Sequence, residues 1–484
     1  MAEPPRSTMT PAPPLRIDEV TVIDPRDGSI RPGTSVLMRE GRIAQVIPTA
    51  ETSAVAGVRV IDGRGRYIVP GYINMHTHVL QEKRSSLFLA TMLAEGTTGM
   101  RQMAGSKTML RRRAENRLGL GDGAPGLLAL PGALLMPFNA PDARRARKEI
   151  SRQRELGADF IKLIQVEREV FFEAVDWAHR NGLRVAGHLP PSVSPREASE
   201  AGFDSLEHLG TSSNLWIETS AERVVLRREE DTSGPFPNWL GYVPFAQKIF
   251  SSELAAKAIA KTLINPALSN SAELVTILQR ALDSFDEDAA DRLVEVFATN
   301  RTWQTPTLVR LRTEYRVDDP AYADHPWMRM MSPRARADFL EARERFMALP
   351  ASTRETYHQY YEMTLMMVKR MHDAGVPLLS GTDGPGGNPG QDLQSEFREL
   401  AAAGIAPLDI LRAATTLPAE FLGRADRMGA VAEGMDADLV LLDADPLQHV
   451  DNLAAIAAVV RGGHHLPRET LTAEIDRLLA AAPS

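Results

Sequence analysis

Short apolar segments that each end in a polar residue recur along this chain, and they constrain its fold more than any other feature. Helix-like stretches separate most of them. Because alternating strands and helices build parallel sheets, the pattern predicts a barrel that presents polar residues at the carboxyl ends of its strands. The segments are 67–78 with His76 and His78, 159–165 with Lys162, 184–190 with His188, 203–209 with His208, and 377–383 with Asp383.

The pair His76 and His78 indicates a metal site. Residues at positions i and i+2 of a strand point to the same face, so both imidazoles can approach one ion from one side. Imidazole suits zinc and neighbouring divalent transition metals. The chain contains no cysteine, so any metal must be held by nitrogen and oxygen, and disulfides are excluded.

Composition narrows the possible partners. A formal net charge of -8 gives no support to nucleic-acid or anionic-membrane binding. No apolar stretch is long enough to span a bilayer, and the N-terminus lacks the apolar core of a signal peptide. We therefore expect a cytoplasmic protein without nucleic-acid or membrane partners. The alternative of a removed export signal stays open.

With these segments in place, the chain resembles the amidohydrolase superfamily, most closely its imidazolonepropionase-like and prolidase-like (Xaa-Pro dipeptidase-like) branch. Segments 413–423 and 434–443 also fit that branch. The resemblance implies an α/β fold, a (β/α)8 TIM barrel, with a small discontinuous β-sandwich domain from the N- and C-terminal segments. The matching residues are His76, His78, Lys162, His188, His208 and Asp383.

The expected organisation has four parts, with two long insertions in the barrel. We predict barrel strands at 72–78, 96–103, 127–135, 159–165, 184–190, 203–209, 303–311 and 377–383. The predicted domains are a disordered lead-in at 1–14, a β-sandwich from 15–70 and 426–468, a barrel at 71–425 with insertions at 211–300 and 312–364, and a C-terminal helix at 469–484.

Both insertions leave from the catalytic face, and each is open to two interpretations. They can form a lid that shapes the substrate pocket, or they can serve packing and subunit contacts. Tyr242, in an aromatic and proline-rich loop, is a candidate to stabilise a carbonyl oxyanion. His325 and His358, in the second insertion, are candidates to line the pocket.

The resemblance also implies ligand roles. It assigns His76, His78 and Asp383 to one divalent ion and His188 and His208 to a second, with zinc as the expected metal. A carbamylated Lys162 would bridge them. The alternative for Lys162 is an ordinary strand-end lysine paired with a carboxylate, and in that case the site holds one ion. Either histidine of the second pair can also be a structural residue.

Asp383, Lys162 and His208 are the predicted catalytic residues, with Asp383 as the proton carrier. The predicted function is metal-dependent hydrolysis of an amide in a dipeptide, an N-acyl amino acid or an aryl amide of an amino acid. The alternative is ring opening of a cyclic amide, imidazolone or lactone. A non-enzymatic protein on a decayed barrel is a third class, which the complete ligand set argues against. A homo-oligomer is expected from the resemblance.

Overall fold

The computed structural model describes residues 12–121, 123–210, 213–230, 261–384 and 390–481. Its strands fall into three hydrogen-bonded sheets, two of them parallel and one mixed. The strands are β1 (Leu15–Asp24), β2 (Ser29–Arg39), β3 (Arg42–Pro48), β4 (Arg59–Asp62), β5 (Tyr67–Pro70), β6 (Tyr72–Thr77), β7 (Thr97–Gln102), β8 (Gly126–Ala129), β9 (Phe160–Leu163), β10 (Arg184–Gly187), β11 (Ser205–Glu207), β12 (Trp303–Thr305), β13 (Leu439–Leu442), β14 (Ile456–Arg461) and β15 (His464–Pro467).

The two parallel sheets form a TIM-barrel-like α/β arrangement. One has the order β6-β7-β8 and the other β12-β11-β10-β9. A parallel bridge between Leu135 and Leu163 joins the two sheets on one side. Residues between adjacent strands form helices, which is how a parallel sheet is built from consecutive units. The sheets therefore agree with the predicted class, while closure of eight strands stays a prediction.

The predicted last strand, 377–383, is not a regular strand in the structure. It forms only isolated bridges, from Leu378 to Gln304 and from Gly384 to Thr77. Its backbone still bonds both neighbouring segments, because Met75 donates to the Ser380 carbonyl at 2.8 Å. Gly381 allows the close approach of this segment to β6, because a Cβ at this position would lie 2.7 Å from the Cβ of His76. The segment thus makes isolated bridges to β12 and β6 without a full ladder.

The predicted strand at 303–311 is also wrong in its second half. β12 ends at Thr305, and a helix begins at Leu308. Pro306 cannot donate to a ladder, and Thr307 adopts a left-handed conformation with φ of 47°. Apolar periodicity did not distinguish this strand-to-helix turn from a longer strand.

The third sheet combines the two ends of the chain. Its order is β15-β14-β13-β5-β1-β2-β3, with β4 also paired to β1. β5 is the junction, since it runs parallel to β1 on one side and antiparallel to β13 on the other. An apolar cluster that includes Val20, Val36 and Leu439 packs on this sheet. A sandwich, and its separation as a domain, stay predictions.

Helices surround these sheets and fill the described parts of both insertions. None of the described helices is both long and apolar enough to cross a membrane. The described α-helices are Ser85–Ala94, Lys107–Ala114, Ala143–Glu155, Arg168–Arg180, Pro195–Glu200, Asn214–Glu218, Arg223–Glu229, Ala272–Asp283, Glu287–Thr299, Leu308–Tyr315, Pro333–Met347, Ala351–Asp373, Leu393–Ala402, Pro407–Ala414, Thr416–Phe421 and Arg468–Ala481.

Helix Leu308–Tyr315 has an unusual cap. Thr307 makes no side-chain bond to the first turn. Instead, the buried carboxyl of Glu396, from helix Leu393–Ala402, accepts the backbone N–H of Val309 at 2.8 Å. Burial raises the pKa of Glu396 to about 8, and the backbone hydrogen bonds only partly oppose this. The start of this helix is therefore fixed by a residue 87 positions away.

Candidate metal centre

Three of the predicted ligands converge at one point above β6 and β11. His76, His208 and Asp383 each offer a ligand atom, and these atoms lie within 4.8 Å of one another. The Nε2 atom of His76 is 3.0 Å from Oδ1 of Asp383, and Nε2 of His78 is 3.1 Å from the same oxygen. Nε2 of His208 is 3.9 Å from Oδ2 of Asp383. The carboxylate of Asp383 is therefore the centre of the cluster.

Hydrogen bonds at the far side of each ring orient these three histidines. Nδ1 of His76 contacts Oε2 of Glu207 at 2.7 Å, and Nδ1 of His78 contacts Oε1 of Gln81 at 3.2 Å. Nδ1 of His208 contacts the hydroxyl oxygen of Thr307 at 2.5 Å. Carboxylate and amide oxygens only accept, so the first two Nδ1 atoms carry the proton.

The Thr307 hydroxyl donates to the Pro306 carbonyl at 2.8 Å, so it accepts from His208 in the same way. In neutral imidazole the proton then sits on Nδ1, and the Nε2 lone pair of each ring faces Asp383. Nε2 of His76 is buried and has no hydrogen-bond partner among the described residues. Lone pairs converging on a carboxylate repel one another unless a cation lies between them. The donor set therefore fits a divalent ion held by imidazole and carboxylate.

Two buried residues that the sequence analysis did not assign, Glu207 and Arg101, fix the orientation of His76. Glu207 is the last residue of β11 and is fully buried. Its Oε1 atom accepts from the Arg101 guanidinium at 2.9 Å, and Arg101 also donates to the Met75 carbonyl at 2.5 Å. Burial alone would raise the pKa of Glu207, but Arg101 and His76 lower it below its usual range. Glu207 therefore stays ionised and can orient His76.

Lys162 lies on β9, opposite Ala186 of β10. Its side chain is buried, and Nζ has no hydrogen-bond partner among the described residues. Burial lowers its pKa to about 8, and the charges of Glu207 and Asp383 oppose that shift. The strand-end ion pair that was the alternative for Lys162 is therefore absent from the described contacts.

His188 is adjacent to this group. It follows β10, and its ring centre lies 5.0 Å from that of His208. Burial and the charge of Lys162 lower the pKa of His188 well below its usual value. The structure thus brings all six predicted ligand residues to one end of the parallel sheets. Their ligation of metal stays a prediction.

Backbone strain concentrates at this end of the sheets. His208, Thr307 and Asp383 have φ of 53°, 47° and 55°, the left-handed region that side-chain-bearing residues seldom adopt. Such conformations cost of order 1–3 kcal/mol each and tend to occur at functional sites. Each of the three turns the chain sharply at the end of a segment, which aims the side chain into the cluster.

Arg310 also reaches the cluster and was not predicted. It lies in the first turn of helix Leu308–Tyr315, and its side chain is almost fully buried. Its Nε atom is 3.4 Å from Oδ2 of Asp383. Burial alone would raise the pKa of Asp383, yet the neighbouring rings of His208 and His76 hold it well below its usual range.

The predicted substrate residues have other contacts. Nε2 of His358 pairs with Asp318 at 2.9 Å, and Nδ1 of His325 accepts the backbone N–H of Trp327 at 3.2 Å. Within the described parts of the chain, neither histidine forms a hydrogen bond or ion pair with Asp383, His76, His78 or His208. Tyr242 lies outside the described residues. Pocket roles for these three side chains stay predictions.

Parts of the chain match known proteins. Residues 343–466 match the model of the Amidohydrolase family. An adenine deaminase of Rubrobacter xylanophilus is 37% identical over 86 residues, which is 18% of this chain and 14% of that protein. The chain therefore matches only about a seventh of that relative's length. The match to the family confirms the predicted resemblance to the amidohydrolase superfamily.

Solved structures resemble the chain over nearly its whole length. The bottromycin amidohydrolase has a TM-score of 0.67 at 23% identity and covers 96% of this chain and 90% of its own. A Xaa-Pro dipeptidase with bound methionine in its active site has a TM-score of 0.61 at 17% identity, with coverage of 94% and 100%. At these identities the likeness establishes the fold alone.

Proposed function

We propose that the protein is a metal-dependent hydrolase of an amide bond in a small molecule. One observation carries the proposal: the Nε2 atoms of His76, His78 and His208 all face the carboxylate of Asp383. A divalent ion held there would lower the pKa of its water to about 7 and polarise the scissile carbonyl. His188 and Lys162 extend the donor set toward a second ion, and zinc is the ion that we expect.

Asp383 is the proposed proton carrier. About a fifth of its side chain is exposed, whereas His76 is fully buried, so Asp383 can reach both the ligands and an incoming substrate. A carboxylate in this position accepts the proton of the attacking water and delivers it to the leaving nitrogen. A hydrogen bond to Thr307 fixes the ring of His208, and a hydrogen bond to Glu207 fixes the ring of His76. These histidines therefore need little rearrangement when a metal ion binds.

Lys162 is the proposed carbamate. A neutral amine adds to carbon dioxide through a new N–C bond and loses one proton, which yields an anionic oxygen ligand. Nζ of Lys162 is buried and has no hydrogen-bond partner among the described residues. This supports the proposal, because burying an unpaired ammonium costs free energy. If Lys162 stays an amine, only one ion is expected.

Amide substrates are supported by the likeness to an amidohydrolase and to a dipeptidase. The proposed substrates are dipeptides, N-acyl amino acids or aryl amides of amino acids. We also propose a homo-oligomer in solution, with no nucleic-acid or membrane partner.

The test is a substrate panel on protein whose metal content has been measured. Dipeptides, N-acyl amino acids and aryl amides would be compared with lactones and cyclic amides. Release of an amine, lost on chelation and restored by zinc, is the expected result, and Asp383→Asn serves as the inactive control. Turnover of lactones or cyclic amides alone would replace the proposal with ring opening. One or two ions per chain are expected, and less than a tenth of an ion without metal rescue would contradict it.

A further inference from the structure

Arg310 is a buried cation at the edge of the proposed catalytic cluster. Nη1 donates to the carbonyl of Ile264 at 3.1 Å, and Nη2 donates to the carbonyl of Leu263 at 2.7 Å. These two carbonyls hold the planar guanidinium in place, but they carry no charge to neutralise it. A guanidinium has five N–H groups, so these two hydrogen bonds leave other N–H groups that can donate to a further acceptor.

The two carboxylates near Arg310 form only long ion pairs with it. Oε2 of Glu314 is 3.8 Å from Nη2, and Oδ2 of Asp383 is 3.4 Å from Nε. Asp383 already faces three histidines. Burial raises the pKa of Glu314, and the charge of Arg310 opposes that shift. Burying a cation without a close partner is expensive, so such a residue is expected to have a function.

A second arginine on the same helix shows what a structural ion pair looks like here. Arg312 bonds the carboxylates of both Glu399 and Asp319, the latter at 2.9 Å. It therefore has two close anionic partners, while the ion pairs of Arg310 are longer, at 3.4 Å to Asp383 and 3.8 Å to Glu314. The difference separates a guanidinium used for packing from one available to bind an anion.

We propose that Arg310 binds a carboxylate on the amine side of the scissile amide, an inference that rests on the proposed function. The substrates are then N-acyl amino acids or dipeptides, and aryl amides without that carboxylate are excluded. The geometry is consistent with amino-acid chemistry, because the α-carboxylate is separated from the amide nitrogen by a single carbon. Asp383 delivers a proton to that nitrogen, so the carboxylate must lie close to Asp383, where Arg310 stands.

The first test needs no variant. N-acetyl-L-amino acids and Gly-X dipeptides would be compared with the matching C-terminal carboxamides on the metal-loaded wild-type protein. We expect kcat/KM to be at least about 30-fold higher for the free acid, the size of a charge-assisted hydrogen bond. Equal hydrolysis of acid and carboxamide would overturn this inference and leave amide hydrolysis standing. No hydrolysis of any amide would overturn the proposed function itself.

The second test assigns the preference to Arg310. Arg310→Met should lose most of the preference for the acid through a higher KM, and Arg310→Lys, which keeps the charge, should recover part of it. Arg316→Met is the matched control. Arg316 directly follows the same helix, and its guanidinium pairs with the carboxylate of Glu362 at a distance of 3.1 Å. In a thermal shift assay, product amino acids should stabilise the wild type and the control more than amino-acid amides do. An unchanged acid preference in folded Arg310→Met would overturn the assignment.

Discussion

His76 and Glu207 are 131 residues apart in the chain and form a buried hydrogen bond of 2.7 Å between β6 and β11. Arg101 completes the pair from β7, with 2.9 Å to the other carboxylate oxygen. The bond decides which nitrogen of His76 can bind a metal, because the proton on Nδ1 leaves the lone pair on Nε2. The position of the ligand and its chemical state are therefore set by one carboxylate.

Glu207→Gln should weaken metal binding without removing a ligand. The amide cannot pair with Arg101 as a charge, so the orientation of His76 becomes less fixed. Loss of such supporting bonds typically costs about 10–100-fold in metal affinity, to be measured by competition with a zinc chelator. Glu200→Gln, at an exposed helix end, is the matched control. An affinity within about threefold of the wild type would contradict this role, being below the usual effect.

Asp383→Asn should lower kcat by at least about a hundredfold, since asparagine keeps one oxygen ligand but cannot carry the proton. The measurement is steady-state kinetics on protein with metal content determined in parallel. A variant that retains its metal and loses less than about threefold in kcat would exclude Asp383 as the proton carrier. The base would then be sought in the insertions, beginning with His325 and His358.

Lys162→Ala should lose one equivalent of metal and most of the activity if Lys162 is a bridging carbamate. Short carboxylic acids should restore part of the activity by supplying the missing oxygen ligand. In the wild type, growth or exchange in ¹³C-bicarbonate should give a carbamate carbon signal that the variant lacks. Full metal content and near-normal turnover in Lys162→Ala would show that the residue is structural.

The raised pKa of Glu396 should make the stability of the protein depend on pH. Its pKa is about 8 in the folded protein against 4.5 for the free side chain, so the folded state holds the proton more tightly. Glu396 therefore adds to the free energy of unfolding in full below about pH 4.5, and this stabilisation is lost as the pH rises through about 8. The free energy of unfolding changes by the order of a few kcal/mol over that range. Glu396→Gln removes this ionisation and should flatten that part of the profile.

Chemical denaturation at several pH values would measure this difference. Glu355→Gln, at an exposed position of helix Ala351–Asp373, is the control and should keep the wild-type slope. If Glu396→Gln and the wild type lose stability in parallel between pH 5 and 8, Glu396 is ionised when folded and the prediction fails.

The sequence predicted which side chains lie near one another at the ends of the parallel strands, because the fold brings the carboxyl ends of parallel strands together. His76, His188 and Asp383 could be picked from three distant segments on that ground alone. Glu207 was missed although it precedes His208 directly. The available signal was that Glu207 is a charged residue in a short apolar segment. Its partners, His76 and Arg101, lie on other strands, so the sequence around Glu207 could not identify them.

Other errors had local causes. The strand predicted at 303–311 ends after Thr305, because Pro306 and the left-handed Thr307 turn the chain into a helix. The apolar run continues across that turn, so periodicity gave no warning. Arg310 was missed for the same reason, since it was placed on a strand and not on the helix that carries it to Asp383. Its contacts with Leu263 and Ile264 depend on an insertion whose folding the pattern does not reveal.

The composite sheet has a consequence for the order of events during synthesis. β5 is finished at Pro70, but its neighbour β13 begins only at Leu439, about 370 residues later. At a translation rate of roughly 5–20 residues per second, that delay is on the order of 20–70 seconds. During this time the outer edge of β5 has no strand to pair with, and open edges invite pairing with other chains. Strands β6 to β12 therefore leave the ribosome before this sheet can be completed, and its completion joins the two ends of the chain.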